Sequence, residues 1–258
     1  MKIGILETGE VRPELQGRHG GYPAMFERLL GAVDPYLEFI TVRVVAGEMP
    51  NAVHDADAWL VTGSRHGVYD GLAWIDPLKA FLRAAVEARV PVVGICFGHQ
   101  ILAEALGGRA EKSAAGWRLG VENYRLTARP AWLKGLPEQF AMRAVHQDQV
   151  TRLPEGAHVI AGSELCPYAA LAYGPLEAPD AITIQPHPEF DAAYLDELIA
   201  LGTGAVFPAP LATSARASLS RPVSNDAWAR LLVGYLREAI AARAGGAPAA
   251  QNGIGLPR

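Results

Sequence analysis

Three side chains in this sequence could together carry out acyl transfer: the thiol of Cys96, the imidazole of His187 and the carboxylate of Glu189. In such a set a thiolate attacks a carbonyl, an imidazole moves the proton, and a carboxylate orients the imidazole and stabilises its charged form. Cys96 lies within residues 91–108, P-V-V-G-I-C-F-G-H-Q-I-L-A-E-A-L-G-G. Val92, Val93 and Ile95 are the β-branched run of a strand buried on both faces, whereas Ile101, Leu102, Ala105 and Leu106 follow helical spacing up to a Gly107-Gly108 stop. Strand and helix therefore meet at Cys96, with Gly94 and Gly98 flanking it as in a G-x-S-x-G nucleophile elbow. A helix start offers unpaired N–H groups and partial positive charge, which favour thiolate and can hold an oxyanion. A lone cysteine beside valines otherwise reads as a small buried hydrophobe; the two glycines and the strand-to-helix switch favour the nucleophile.

The base and its partner stand in P-H-P-E-F, residues 186–190, delivered by the apolar run A-I-T-I-Q at 181–185. Two prolines stiffen this turn, and in an extended segment His187 and Glu189 share a face. In an α/β-hydrolase with a cysteine nucleophile the acid precedes the histidine, so the order Cys96, His187, Glu189 argues against that fold. A second wall for the site is T-G-S-R-H-G-V-Y-D, residues 62–70, at the carboxyl end of the apolar run 58–61. Gly63 permits close backbone approach and the N–H of Ser64 could serve as an oxyanion donor; an ordinary glycine-rich turn is the alternative. His54, Asp55 and Asp57 read as solvated loop residues, since no second His–carboxylate cluster accompanies them.

These side chains must be positioned by a sizeable core, which 258 residues, half of them hydrophobic, can supply. Lys and Arg number 23 against 27 Asp and Glu, without long blocks of one sign, so neither nucleic acid nor an anionic membrane surface is expected as a partner. No apolar run approaches a membrane span, and the one at residues 3–6 is too short for a signal-peptide core. Two cysteines, Cys96 and Cys166, without C-x-x-C spacing fit a reducing compartment, and the expectation is a soluble cytoplasmic protein.

Strands are expected at 2–6, 37–45 and 58–61, and helices at 22–31 and around Ile75, Leu78, Leu82, Ala85 and Val86. Residues 7–21 read as a polar loop. This alternation predicts an α/β fold, a doubly wound, mainly parallel, flavodoxin-like sheet. After Gly108 the segments 116–127, 139–145, 157–162 and 168–173 read as short strands of a small antiparallel extension. A helix capped by Asp191, with Phe190 and Leu195 as a hydrophobic staple, closes at Gly202. Residues 203–222 show no regular pattern, a last helix covers 224–243, and 244–258 is expected to be a disordered tail. The chain is thus read as one domain, residues 1–243, with a core of about residues 1–201.

G-I-C-F-G-H-Q together with Q-P-H-P-E resembles the class I, triad-type glutamine amidotransferases, over the stretch from the first strand to about Glu189. T-G-S-R-H-G-V-Y-D, G-W-R-L-G at 116–120 and V-H-Q-D-Q-V at 145–150 resemble the stand-alone, GMP-synthase-like subgroup. The resemblance implies that Cys96 attacks the side-chain amide of glutamine, that His187 protonates the departing ammonia with Glu189 as its orienter, and that water cleaves the thioester. It places the oxyanion donors on the N–H groups of Phe97 and Ser64, where a second glycine is more usual. Gln100, and the backbone around Val145 and His146, match the segments that hold the substrate's α-amino and carboxylate groups; His99 is given no chemical role. No metal or cofactor is implied. The S-G-G-x-D-S loop of the ATP-pyrophosphatase part of GMP synthases is missing, so the nucleotide-forming half is not expected here. Three functions remain open: a glutaminase supplying ammonia to a separate acceptor enzyme, a γ-glutamyl peptidase acting alone, or a silent binding protein on the same fold.

Overall fold

The computed structural model describes residues 1–245. In chain order it holds β1 (Lys2–Leu6), α1 (Pro13–His19), α2 (Tyr22–Gly31), β2 (Glu38–Val42), β3 (Ala58–Val61), α3 (Ile75–Glu87), β4 (Val92–Ile95) and α4 (Phe97–Ala105). There follow β5 (Arg109–Lys112), β6 (Arg118–Leu126), β7 (Gln139–His146), β8 (Asp148–Arg152), β9 (Ala157–Gly162), β10 (Ala170–Tyr173) and β11 (Ala181–Ile184). The chain then forms α5 (Ala192–Gly202), α6 (Ala209–Ser218) and α7 (Asn225–Gly245). A nine-stranded sheet has the order β2-β1-β3-β4-β11-β10-β9-β6-β7, while β5 and β8 pair as a separate antiparallel ribbon. The first five of those nine strands run parallel and the other four antiparallel, as the sequence pattern predicts.

Alternation along the parallel strands fills two cores. Ile3, Ile5, Leu60, Val93, Ile95 and Ile182 face α2 and α7, whose Phe26, Leu30, Trp228 and Leu232 cover them. Trp59, Val61 and Val92 face the opposite layer, packed by Leu78 and Leu82 of α3 and Ile101 and Leu102 of α4. Burying a large aliphatic side chain contributes about 1.5–3 kcal/mol, so strands buried on both faces are what hold the centre of the sheet rigid. A third cluster joins Leu119 and Val121 of β6 to Leu195 and Ile199 of α5 and Ala212 and Ala215 of α6.

Several expectations give way. Within the expected polar loop lies α1, whose Pro13 sits in the first turn and whose only buried residue is Leu15, too little to create a periodicity. α6 occupies part of 203–222; its buried residues are the small Ala212 and Ala215, which leave no apolar stripe to read. The second strand stops at Val42 because Val44–Ala46 winds into a 3₁₀ turn ended by Gly47 at φ 90°. The ribbon of β5 and β8 has no counterpart among the expected strands, since its residues are mostly polar and only Ala110 and Val150 enter the core. Asp191 caps α5 through Tyr194 N–H at 2.7 Å, but Phe190 packs on Tyr194, whereas Leu195 joins Ile199 in another cluster. α7 runs two residues past the expected helix end, and the expected tail from 246 onward lies outside the described residues. Asp55 and Asp57 are engaged with backbone N–H groups of Asn51, Ala52 and Lys2. Among the described residues no helix is long and apolar enough to cross a membrane.

Candidate active site

Between β4 and α4 the chain reverses at a single residue: Cys96 has φ 52° and ψ −99°. A non-glycine residue at positive φ costs on the order of 1–3 kcal/mol, and it persists only where neighbours fix it. Here the Cys96 N–H donates to Ile184 O at 2.9 Å and its carbonyl accepts from Gln100 N–H at 3.1 Å. The flanking glycines are needed for closeness: a Cβ on Gly94 would lie 2.5 Å from Gly98 O, and one on Gly98 would run into Val61 O. β3, β4 and β11 are adjacent and parallel, so their carboxyl ends bring Gly63, Cys96 and His187 into one place.

The His187 ring is buried and fixed on several sides. Nδ1 lies 2.7 Å from Glu189 Oε1, and both side chains are almost fully buried. Phe190 stacks on the ring at 4.0 Å between centroids and 5° between planes. Nε2 has no hydrogen-bond partner among the described residues. Burial disfavours the imidazolium, but the carboxylate of Glu189, then the neighbouring sulfur of Cys96, more than offset it, and the His187 pKa is raised. A cationic ring face-on to Phe190 also gains cation–π attraction.

A cavity of about 760 Å³ opens over these groups and is lined by Ser64, Cys96, Gln100, Val145, His146, His187 and Phe190 among others. Neither the Ser64 nor the Phe97 N–H donates to another described residue, while the Ser64 hydroxyl accepts from His66 N–H at 3.1 Å. Gln100 Nε2 donates to Asp148 O at 2.9 Å and to Gln185 Oε1 at 3.1 Å, which leaves its Oε1 as the acceptor free for a ligand. His146 Nδ1 donates to Asp148 O at 3.0 Å. Burial pulls the His146 pKa down to about 3, so this imidazole is neutral with an unshared pair on Nε2. His99 is likewise buried, at 2.8 Å from Thr183 Oγ1, with its pKa pulled down to about 3 by burial. It does not line the cavity.

Two residues given no part in the site by the sequence reading belong to it. Gln185 is fully buried and its Nε2 lies 3.5 Å from Cys96 Sγ, a donor to the sulfur. Phe190 is the stacking partner of His187. Both flank the P-H-P-E segment, so adjacency to the His187–Glu189 pair was the signal that could have found them.

A family model described as "Glutamine amidotransferase class-I" matches residues 37–199. Gamma-glutamyl peptidase 3 of Arabidopsis thaliana is 29% identical over 189 residues, covering 70% of this chain and 74% of that protein. The glutamine-hydrolysing GMP synthase of Lactococcus lactis is 34% identical over 152 residues, covering 58% of this chain but only 28% of that enzyme. Among solved structures, a glutamine amidotransferase from Thermotoga maritima superposes with a TM-score of 0.72 at 17% identity, over 92% of this chain and 98% of that one, a likeness of fold. With its family match spanning more than half the sequence, the chain belongs to the class I glutamine amidotransferase family.

Proposed function

We propose that this chain hydrolyses the side-chain amide of glutamine, or the same γ-amide in a γ-glutamyl compound, through a thioester on Cys96. The observation that carries the reading is the single cavity that holds a strained Cys96 beside a His187 already paired at 2.7 Å with Glu189. Cys96 Sγ attacks the γ-carbonyl carbon, and the N–H groups of Ser64 and Phe97 receive the oxyanion. His187 gives its Nε2 proton to the departing nitrogen as the C–N bond breaks. It then takes a proton from the water that attacks the thioester, releasing glutamate and the thiolate. Glu189 keeps the ring in one tautomer and stabilises its cation. Gly63 lets the chain pass close to the site, and Gln100 and the Val145–His146 backbone hold the amino-acid head.

The cavity of about 760 Å³ is open to solvent and has room for a γ-glutamyl compound with a leaving group larger than ammonia as well as for free glutamine. The name of the Arabidopsis relative supports the first reading, and ammonia supply to a separate acceptor enzyme is the alternative. We place the enzyme in a reducing cytoplasm, where its two free thiols, Cys96 and Cys166, persist. Residues 1–243 form the working unit in this reading, because α7 packs into the same core as β4.

A chloroketone analogue of glutamine, followed by mass spectrometry, tests the nucleophile. Cys96 is expected to carry the label, while Cys166, whose thiol burial pushes up to about 12, stays unmodified in the folded protein. Label on Cys166 alone, or turnover that continues with Cys96 blocked, would overturn the reading. A screen of free glutamine against γ-glutamyl peptides, read as glutamate release, then separates the two substrate classes.

A further inference from the structure

The Glu189 carboxylate has few restraints of its own. Its Oε1 meets His187, and its Oε2 has no hydrogen-bond partner among the described residues. Pro186 and Pro188 remove two backbone donors from the segment, and β11 has already ended at Ile184. The position of Glu189 must therefore be set through its backbone. The carbonyls immediately before and after it are both taken by one side chain: Asn225 Nδ2 donates to Pro188 O at 2.7 Å and to Phe190 O at 3.0 Å. Arg143 Nη1 donates to Phe190 O at 3.0 Å as well, and Arg143 O accepts the His187 N–H at 2.8 Å. Asn225 is buried and opens α7, whose Trp228, Leu232 and Leu236 sit in the main core. Trp228 packs edge-on against Phe140 of β7 at 5.5 Å, and Ser224 N–H bonds Ala141 O at 2.8 Å. The anchor is thus rigid, and it lies beyond the family-matching residues 37–199.

We infer that Asn225 is a positioning residue for the acid–base pair, holding Glu189 against His187 by bridging the two carbonyls that flank it. This rests on the catalytic reading above. A carboxylate displaced by a fraction of an ångström still orients the imidazole less well, so the loss falls on the chemical step and spares binding, because Asn225 lies outside the cavity lining. Asn225→Ala removes both donors, and Asn225→Asp keeps the shape but sets acceptors against the two carbonyls.

The experiment measures glutamate release together with the low-field proton resonance of the His187 ring N–H in ¹⁵N-labelled protein. Both variants are expected to lower kcat by about 10- to 100-fold with KM within about twofold of the parent. They should also shift or broaden away the resonance, with the thermal midpoint of Asn225→Asp falling further than that of Asn225→Ala, since it sets acceptors against buried carbonyls. Should either variant fail to fold, Asn225→Ser, small and neutral but too short to bridge both carbonyls, carries the same expectation. An unchanged resonance with unchanged kcat in the folded variants would overturn the inference. A parent protein that released no glutamate would defeat the catalytic reading, and an altered resonance would still support the bridge.

Discussion

Gly63 abuts His187: a methyl group built on its Cα would lie 3.0 Å from Cε1 of the ring and 3.7 Å from Cys96 Cβ. The ring is also held by its stack on Phe190, 4.0 Å between centroids, which any shift of the ring would loosen. Gly63→Ala should therefore tilt His187 away from Glu189 and Cys96, lowering kcat by about 10- to 100-fold with little change in secondary structure. Steady-state kinetics and circular dichroism check this, and an alanine variant with parental kcat would show that the ring has room the structure does not display.

Ser64 is expected to act through its N–H, because its hydroxyl already accepts from His66 N–H within the loop. Ser64→Ala should keep most activity. Ser64→Pro, which deletes the donor, should lose a factor of about 100 to 1,000, as for one oxyanion contact. Equal damage from both would assign the hydroxyl a role of its own.

Within the triad the losses should be unequal. Cys96→Ala and His187→Ala should each abolish turnover while the protein stays folded, since neither change leaves the sheet unsupported. Glu189→Gln should be milder, because an amide can still accept from Nδ1 and keep the ring oriented while the charge stabilisation is lost. Single-turnover kinetics of the three variants tests the ranking, and a Glu189→Gln variant as dead as Cys96→Ala would give that carboxylate more than an orienting part.

Acid should destabilise the fold through its buried neutral histidines. His99 and His146 are pulled down to about 3 by burial, below an unfolded imidazole near about 6.5. Stability is then full above about 6.5 and is lost as pH falls toward about 3, where the unfolded chain binds more protons. His99→Gln should flatten that slope by up to about 1.4 kcal/mol per pH unit, the value of one proton. His187 works in the opposite sense. Its raised pKa gives stability that is complete below the ordinary imidazole value and fades as pH rises through the raised one. Urea titrations across pH measure both limbs, and an acid slope unaffected by His99→Gln would mean that this ring is already charged in the folded protein.

Replacing Gly98 should harm folding as well as activity. A methyl group there would strike the carbonyl of Val61, which backbone on a central strand cannot yield. Gly98→Ala is expected to cost about 1–3 kcal/mol, readable as a lower urea midpoint at unchanged m-value. A midpoint equal to that of the parent would show that the strand-to-helix turn is looser than its contacts require.

What the sequence alone determined is what depends on neighbours along the chain. The switch from β-branched run to helical spacing at Cys96, the glycines around it, and the two-residue step from His187 to Glu189 are local patterns, and local sterics enforce them. The mainly parallel sheet followed from the same alternation of elements, whereas its strand order did not. Tertiary structure decided the rest, because it turns on contacts between residues far apart. α1 and α6 each bury too little for a periodic signal, so only packing on α5 and β6 gives them a place. The meeting of Gly63 with His187, the approach of Gln185 to Cys96 and the hold of Asn225 on the carbonyls beside Glu189 span 35 to 124 residues of chain. No spacing rule reaches that far; the parallel sheet does, by bringing the carboxyl ends of β3, β4 and β11 together beneath one cavity.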